Sequence, residues 1–313
     1  MSILVLMDGW NPAPWAAALK SVLPGEQIVI YPDVADYDAV EYALVWAPAS
    51  GVLNRFPNLR ALFSPGAGVD HLLRDDSLPD VPIARIVDPD LTGRMSEWVV
   101  AQVLLHHRQQ LRYLEFQRDA VWRELRQPAA ADVSVGLMGL GELGRDAADI
   151  LHRLGFALRG WSRTAGNVPH VSCFHGADGL DEFLSGTDIL LCLLPLTSDT
   201  EALIDKTVFD RLRSDGPLGG PVFINAGRGR IQVEADIIAA LRSGVLKGAS
   251  LDVFEVEPLP QDSPLWSMDN VIITPHAAAA SSPHALSQLI GRQLRAHRAG
   301  KPLAHLVDRT RGY

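Results

Sequence analysis

Short, almost wholly apolar runs recur along this chain, and amphipathic stretches separate them. That alternation limits the fold more than any other feature. A first set comprises Ile3–Met7, Gln27–Tyr31, Tyr42–Trp46, Arg60–Ser64 and Ile83–Val87. A second comprises Val133–Met138, Ala157–Trp161, Asp188–Leu194, Pro221–Asn225, Lys247–Leu251 and Val271–Thr274. Helical spacing marks Trp15–Leu23, Leu143–Leu154 and Glu234–Ser243 between them. Strands that alternate with helices predict α/β architecture, with parallel sheets covered on both faces. Met95–Arg126 carries helical spacing and no strand, so it reads as one or two helices leaving the first domain. Gln127–Asp132 then reads as a loop, and Pro283–Ala299 as a helix returning to the first domain.

At 313 residues the chain is long enough for about two domains. The net charge of −9 argues against a nucleic-acid partner, which would require a basic face. It leaves small acids open, because one local arginine can hold a carboxylate. The two cysteines, Cys173 and Cys192, suggest neither a disulfide framework nor a metal site, and the ILLCLLP run makes Cys192 a core thiol. The N-terminal MSILVLMDGW lacks a basic leader and is too short in apolar length for a signal peptide or a span. The expectation is therefore a cytoplasmic protein without a membrane partner.

A GxGxxG pattern, Gly139, Gly141 and Gly144, follows a Val-rich strand and opens a helix. Gly139 would permit the tight turn, Gly141 the approach of a pyrophosphate, and Gly144 close packing of helix on strand. The phosphates would then meet the helix N-terminus near the amides of Glu142 and Leu143. An acidic residue at the end of the next strand would hold the ribose hydroxyls of NAD, but this chain has Ser162 and Arg163 there. A hydroxyl and a guanidinium attract a 2′-phosphate, so NADP(H) is expected in preference to NAD(H), unless Arg163 is simply a solvated arginine.

Three later segments each end a predicted strand: VFINAGRGR with Arg228, ASLDVFEVEPLP with Asp252 and Glu257, and VIITPHAAAA with His276. Singly, each has an ordinary explanation: a solvated arginine, a surface acid, a histidine capping a helix. Together they supply what hydride transfer to a 2-oxo acid requires. Arg228 can pair with the substrate carboxylate and polarise the adjoining carbonyl. His276 can donate a proton to the oxygen, and Glu257 can orient the imidazole and favour its cation. Asp252 is expected to face the nicotinamide.

The residues GLMGLGELG, LPLTSDT, INAGRG, LDVFEVEPLP, SPLW and ITPHAA resemble those of the D-isomer-specific 2-hydroxyacid dehydrogenase family. YALVWAP, GAGVDHL, GWSRT and VDRTRGY resemble its glyoxylate/hydroxypyruvate reductase A group. The likeness runs in order through nearly the whole chain. It implies two Rossmann-like domains with the active site in the cleft between them. The expected division is 1–98 plus 287–313 for the substrate and 99–286 for the cofactor. It further implies that Ala67 and Gly68, in a loop otherwise readable as a plain glycine turn, offer amides to the substrate carboxylate. Leu194, Pro195 and Thr200 would lie along the cofactor, with Ala226 near the nicotinamide, in a homodimer built on the long helical stretch. The activity implied is NADPH-dependent reduction of glyoxylate to glycolate and of hydroxypyruvate to D-glycerate. The rivals are a dehydrogenase of another 2-hydroxy acid and a non-catalytic NADP(H)-binding sensor. Trp46 and Met95 either shape a small pocket or belong to the core.

Overall fold

The computed structural model describes residues 2–313. The chain begins with β1 (Ser2–Met7), α1 (Ala13–Val22), β2 (Gln27–Ile30), β3 (Val40–Trp46), β4 (Ala61–Ser64), α2 (Asp70–Leu73) and β5 (Ile83–Arg85). It continues through α3 (Pro89–His107), α4 (Gln110–Arg118), β6 (Ser134–Met138), α5 (Glu142–Arg153), β7 (Ala157–Ser162) and β8 (Ser172–His175). Then come α6 (Leu180–Ser185), β9 (Ile189–Cys192), α7 (Lys206–Phe209), β10 (Val222–Asn225), α8 (Glu234–Ser243), β11 (Gly248–Leu251), β12 (Val271–Ile273) and α9 (Pro283–Arg298). Two compact units result: one runs to Leu91 and resumes at Ala280, and the other is Thr92–Ala279. The boundaries lie at 91/92 and 279/280, where 98/99 and 286/287 were expected, and α3 starts at Pro89, where proline suits the first turn of a helix.

The first unit carries a parallel sheet in the order β2-β1-β3-β4-β5. Every residue of β1 is buried, since helices cover one face and loops with α2 the other. One core layer joins Ile3 and Val5 to Trp15 and Leu19 of α1 and to Leu286, Ile290 and Leu294 of α9. Ser282 caps α9 by accepting from the Ala285 amide, Pro283 follows, and Arg295, His297 and Arg298 occupy its last turn.

The second unit carries a parallel sheet in the order β12-β11-β10-β9-β6-β7-β8. The order reverses between β6 and β9, so the loops leaving these two strands splay apart and open a crevice at their carboxyl ends. In α5 the buried residues are Gly144, Ala147, Ala148 and Leu151, one stripe at helical spacing against the sheet. Phe183, Phe209, Phe223 and Leu241 fill the opposite layer.

Three sequence expectations shift. β8, Ser-Cys-Phe-His, was absent from the reading because an exposed edge strand carries no apolar run. The 95–126 stretch holds two helices but stops being helical at Arg118; Ala120 adopts φ +54° and the segment to Ala129 has no regular structure. Met95 is a core residue of the second unit. Trp46 stacks between Trp10, at 4.5 Å, and His71, at 4.1 Å.

Candidate active site

All seven strands of the second sheet run parallel, so the loops that follow them gather along one edge. Along it lie the glycine loop after β6, Ser162 and Arg163 at the end of β7, and Leu194, Pro195 and Thr200 after β9. Ala226 and Arg228 follow β10, Asp252 and Glu257 follow β11, and His276 follows β12.

The three glycines of the first loop answer to different demands. Gly139 has φ +106°, and a Cβ there would meet the Leu193 carbonyl at 2.8 Å. At Gly144 a Cβ would sit 1.9 Å from the Gly139 oxygen, so α5 approaches the loop as closely as backbone allows. At Gly141 a Cβ would meet no protein atom within 4 Å. The protein's own packing explains the first and third glycines but not the second, whose bare backbone fits a phosphate-bearing ligand drawn up to the amides of Glu142 and Leu143 at the start of α5. The residues present therefore fit a dinucleotide.

Ser162 donates to the Thr164 carbonyl at 2.8 Å, and Arg163 pairs with Asp199 at 3.1 Å, both side chains being about half exposed or more. Thr200 donates to the Pro195 carbonyl at 2.7 Å and accepts from the Thr197 amide at 2.8 Å, so its hydroxyl closes the turn after β9.

The Arg228 loop is held by a buried amide network. Asn225 accepts from the Gly227 amide at 2.9 Å and donates to Gln232 at 2.8 Å, and Gln232 donates to the Val253 carbonyl at 3.1 Å. A Cβ on Gly227 would come within 2.7 Å of the Leu194 oxygen, and one on Gly229 within 1.8 Å of the Phe254 oxygen. Arg228 is thus carried on a strip of backbone pressed between two neighbouring loops, with its guanidinium donating to the Gly227 carbonyl at 2.9 Å.

His276 Nδ1 lies 2.8 Å from Glu257 Oε2. The other carboxylate oxygen accepts from the Phe254 amide at 3.0 Å, which fixes its plane. Burial pushes the Glu257 carboxyl up. The hydrogen bond from His276, the Phe254 amide and the charges of His276 and Arg228 together outweigh this and hold it below its ordinary value. Glu257 is therefore an anion that feels both other groups. Since Nδ1 is given to Glu257, Nε2 is the nitrogen left to exchange a proton. Within one unit the fold has brought together the arginine, the histidine and its carboxylate.

Asp252 shows a role that sequence reasoning did not indicate. It is buried, with Oδ1 accepting from the Thr274 hydroxyl at 2.5 Å and from the amides of Ala277 and Ala278 at 2.8 and 3.1 Å. Its carboxylate thereby grips the turn that bears His276. Ala67 and Gly68 belong to the other unit, in the loop between β4 and α2; there Gly66 lies so close to Trp46 that a Cβ would overlap the indole at 2.4 Å.

The sequence pattern of the D-isomer specific 2-hydroxyacid dehydrogenase family, NAD binding domain, matches residues 100–278, more than half of the chain. The chain belongs to the D-isomer specific 2-hydroxyacid dehydrogenases. Among members of this family, the glyoxylate/hydroxypyruvate reductase A of Salmonella newport (strain SL254) is 38% identical, with 100% of both chains covered. The NADPH-dependent glyoxylate/hydroxypyruvate reductase of Sinorhizobium meliloti, solved with NADP and sulfate, is 47% identical with a TM-score of 0.95, again over 100% of both chains. A D-isomer specific 2-hydroxyacid dehydrogenase from Xanthobacter autotrophicus Py2, solved with NADPH, is 42% identical with a TM-score of 0.94, covering 100% of this chain and 99% of that one.

Asn225 and Gln232 brace the Arg228 loop, Asp199 pairs with Arg163, and Thr274 joins Trp98 to Asp252, and the sequence singles out none of these five as a site residue. Asn225 lies within the INAGRGR segment and Gln232 just beyond it, and two amide side chains around a glycine-flanked arginine are a usable signal. Asp199 and Trp98 lie far along the chain from Arg163 and Thr274, and only folding pairs them.

Proposed function

We propose that this chain is an NADPH-dependent reductase that carries a hydride to the keto carbon of small 2-oxo acids, taking glyoxylate to glycolate and hydroxypyruvate to D-glycerate. The observation that carries the reading is the His276–Glu257 pair at 2.8 Å, with Glu257 also under the charge of Arg228. A protein that merely sensed NADP(H) would have no use for an acid–base couple held in this way.

The bound nicotinamide supplies the hydride. Arg228 pairs with the substrate carboxylate and draws electron density from the adjoining carbonyl. As the carbonyl carbon is reduced, its oxygen takes the proton from His276 Nε2, and Glu257 stabilises the imidazolium until that transfer. The family resemblance also assigns the amides of Ala67 and Gly68 to the substrate carboxylate. Leu194, Pro195, Thr200 and Ala226 line the cofactor, while the buried Asp252, expected from the sequence to face the nicotinamide, spends both carboxylate oxygens on the turn that bears His276.

Ser162 and Arg163 support a preference for NADP(H) over NAD(H), as a 2′-phosphate can replace Asp199 on the guanidinium. The family resemblance and the exposed apolar side chains of Leu114, Val121 and Trp122 support a homodimer joined through residues 110–126. No helix among the described residues is long and apolar enough to cross a membrane.

The deciding assay follows NADPH oxidation on addition of glyoxylate or hydroxypyruvate. Steady loss of NADPH absorbance is expected with either acid, and none with either acid would remove the reading. His276→Asn should lower kcat by roughly 10²–10⁴-fold if it is the general acid.

A further inference from the structure

The His276 ring stands on an unusual piece of backbone. β12 ends at Ile273, Pro275 contributes no N–H, and His276 itself has φ +51°. A side-chain-bearing residue in the left-handed region is strained and persists only where its surroundings impose it. The surroundings here are explicit. The His276 amide donates to the Asp252 carbonyl at 2.8 Å. The Asp252 carboxylate holds residues on both sides of the histidine: Thr274 before it and Ala277 and Ala278 after it.

The chain of hydrogen bonds does not stop at Thr274. The indole Nε1 of Trp98, on α3, lies 3.2 Å from the Thr274 hydroxyl oxygen. An indole N–H can only donate, so Thr274 accepts there, and its own proton is directed to the Asp252 carboxylate. Residue chemistry alone therefore sets the polarity: Trp98 donates to Thr274 and Thr274 to Asp252, on whose carboxylate the amides of Ala277 and Ala278 converge from the other side. Each donation favours the next, and a carboxylate that is 1% exposed needs all of its donors.

We propose that Thr274 and Trp98 are positioning residues for the proton donor: they complete the donor set of Asp252 and so lock the turn that aims His276. This rests on the reading of His276 as the general acid. Neither residue acts on the substrate; both work through Asp252. A misplacement of about 1 Å at a reacting group can cost on the order of 10²-fold, which is the scale of effect to expect.

The test compares Thr274→Val, Thr274→Ser and Trp98→Phe with the wild-type enzyme, with His276→Asn in the same series. Thr274→Val keeps the shape and removes the hydroxyl; kcat should fall about 10- to 100-fold, with KM for glyoxylate and Kd for NADPH moving less than about threefold. Thr274→Ser, which restores the hydroxyl, should recover kcat to within about threefold of wild type, and Trp98→Phe should lose roughly three- to tenfold. A Thr274→Val enzyme with normal kcat, or a Thr274→Ser enzyme as slow as Thr274→Val, overturns the proposal. If Thr274→Val does not fold, Trp98→Phe decides alone, and an unchanged kcat there is equally fatal. A slow His276→Asn beside a normal Thr274→Val defeats the positioning role only, whereas a normal His276→Asn defeats the reading beneath it.

Discussion

At the scale of single residues, chemistry is assigned by partners rather than by identity. Glu257 and Asp252 are both carboxylates after β11, five positions apart in one segment, yet their surroundings divide the work. Glu257 keeps one oxygen for an imidazole; Asp252 gives both of its oxygens to a turn. Cys192 illustrates the opposite case. Burial pushes its thiol up to about 12, so a nucleophilic side chain at the end of β9 is inert packing. Under the proposed preference for NADP(H), Arg163 is the residue on which cofactor choice should turn. Its pair with Asp199 is exposed and worth at most about 1 kcal/mol, so a doubly charged phosphate should displace the carboxylate readily. Arg163→Ala should raise the KM for NADPH at least about tenfold, the scale of one lost charge-assisted contact, and leave that for NADH nearly unchanged. Parallel changes in both would place the 2′-phosphate elsewhere.

Elements in the second unit are tied by buried polar links as well as by apolar packing. α3 meets β11 through His106, whose Nε2 lies 2.8 Å from the Ser250 hydroxyl, and Ser250 in turn donates to Gln102 at 2.9 Å. Because Ser250 spends its proton on Gln102, His106 must be the donor in the other bond, which requires a proton on Nε2. Burial, aided by the charge of Lys247, pulls His106 down to about 4. The consequence for stability has a definite sign. Above the ordinary histidine value near 6.5 both folded and unfolded chains hold a neutral ring. Below it the unfolded chain takes a proton that the folded one refuses, so stability is lost as the pH falls toward about 4 and no further beyond it. The loss amounts to about 3 kcal/mol. His106→Gln can still donate to Ser250 and does not titrate. Urea unfolding at pH 7 and pH 4.5 should show a smaller acid loss in this variant than in wild type; equal losses would mean that His106 is not the group responsible.

For the molecule as a whole, one group of exposed apolar side chains lies on α4 and just after it. Trp122 is fully exposed, at 103% of its reference area, and Val121 and Leu114 are also exposed. Covering an indole is worth about 2–3 kcal/mol, so a second copy seated here would gain substantially. Trp122→Ala should therefore weaken the proposed dimer at least about tenfold by sedimentation equilibrium. A wild-type chain that sediments as a monomer at micromolar concentration would rule the dimer out.

Much of this was legible in the linear order of residues. Buried parallel strands must be apolar along their whole length, so β1, β3, β6, β9 and β10 announced themselves as runs, and the fold class followed. Glycines that neighbouring backbone forbids from bearing a Cβ marked the cofactor loop and the Arg228 strip. Strand ends predicted where Arg228, Glu257 and His276 would stand, because parallel order sends every following loop to one edge. What the order of residues could not express was pairing at a distance. Arg163 meets Asp199, Thr274 meets Asp252 and Trp98, and His106 meets Ser250 across long separations in the chain. A hydrogen bond is specified by direction and by a distance near 3 Å, and neither quantity exists until the sheet has closed and set its neighbours side by side.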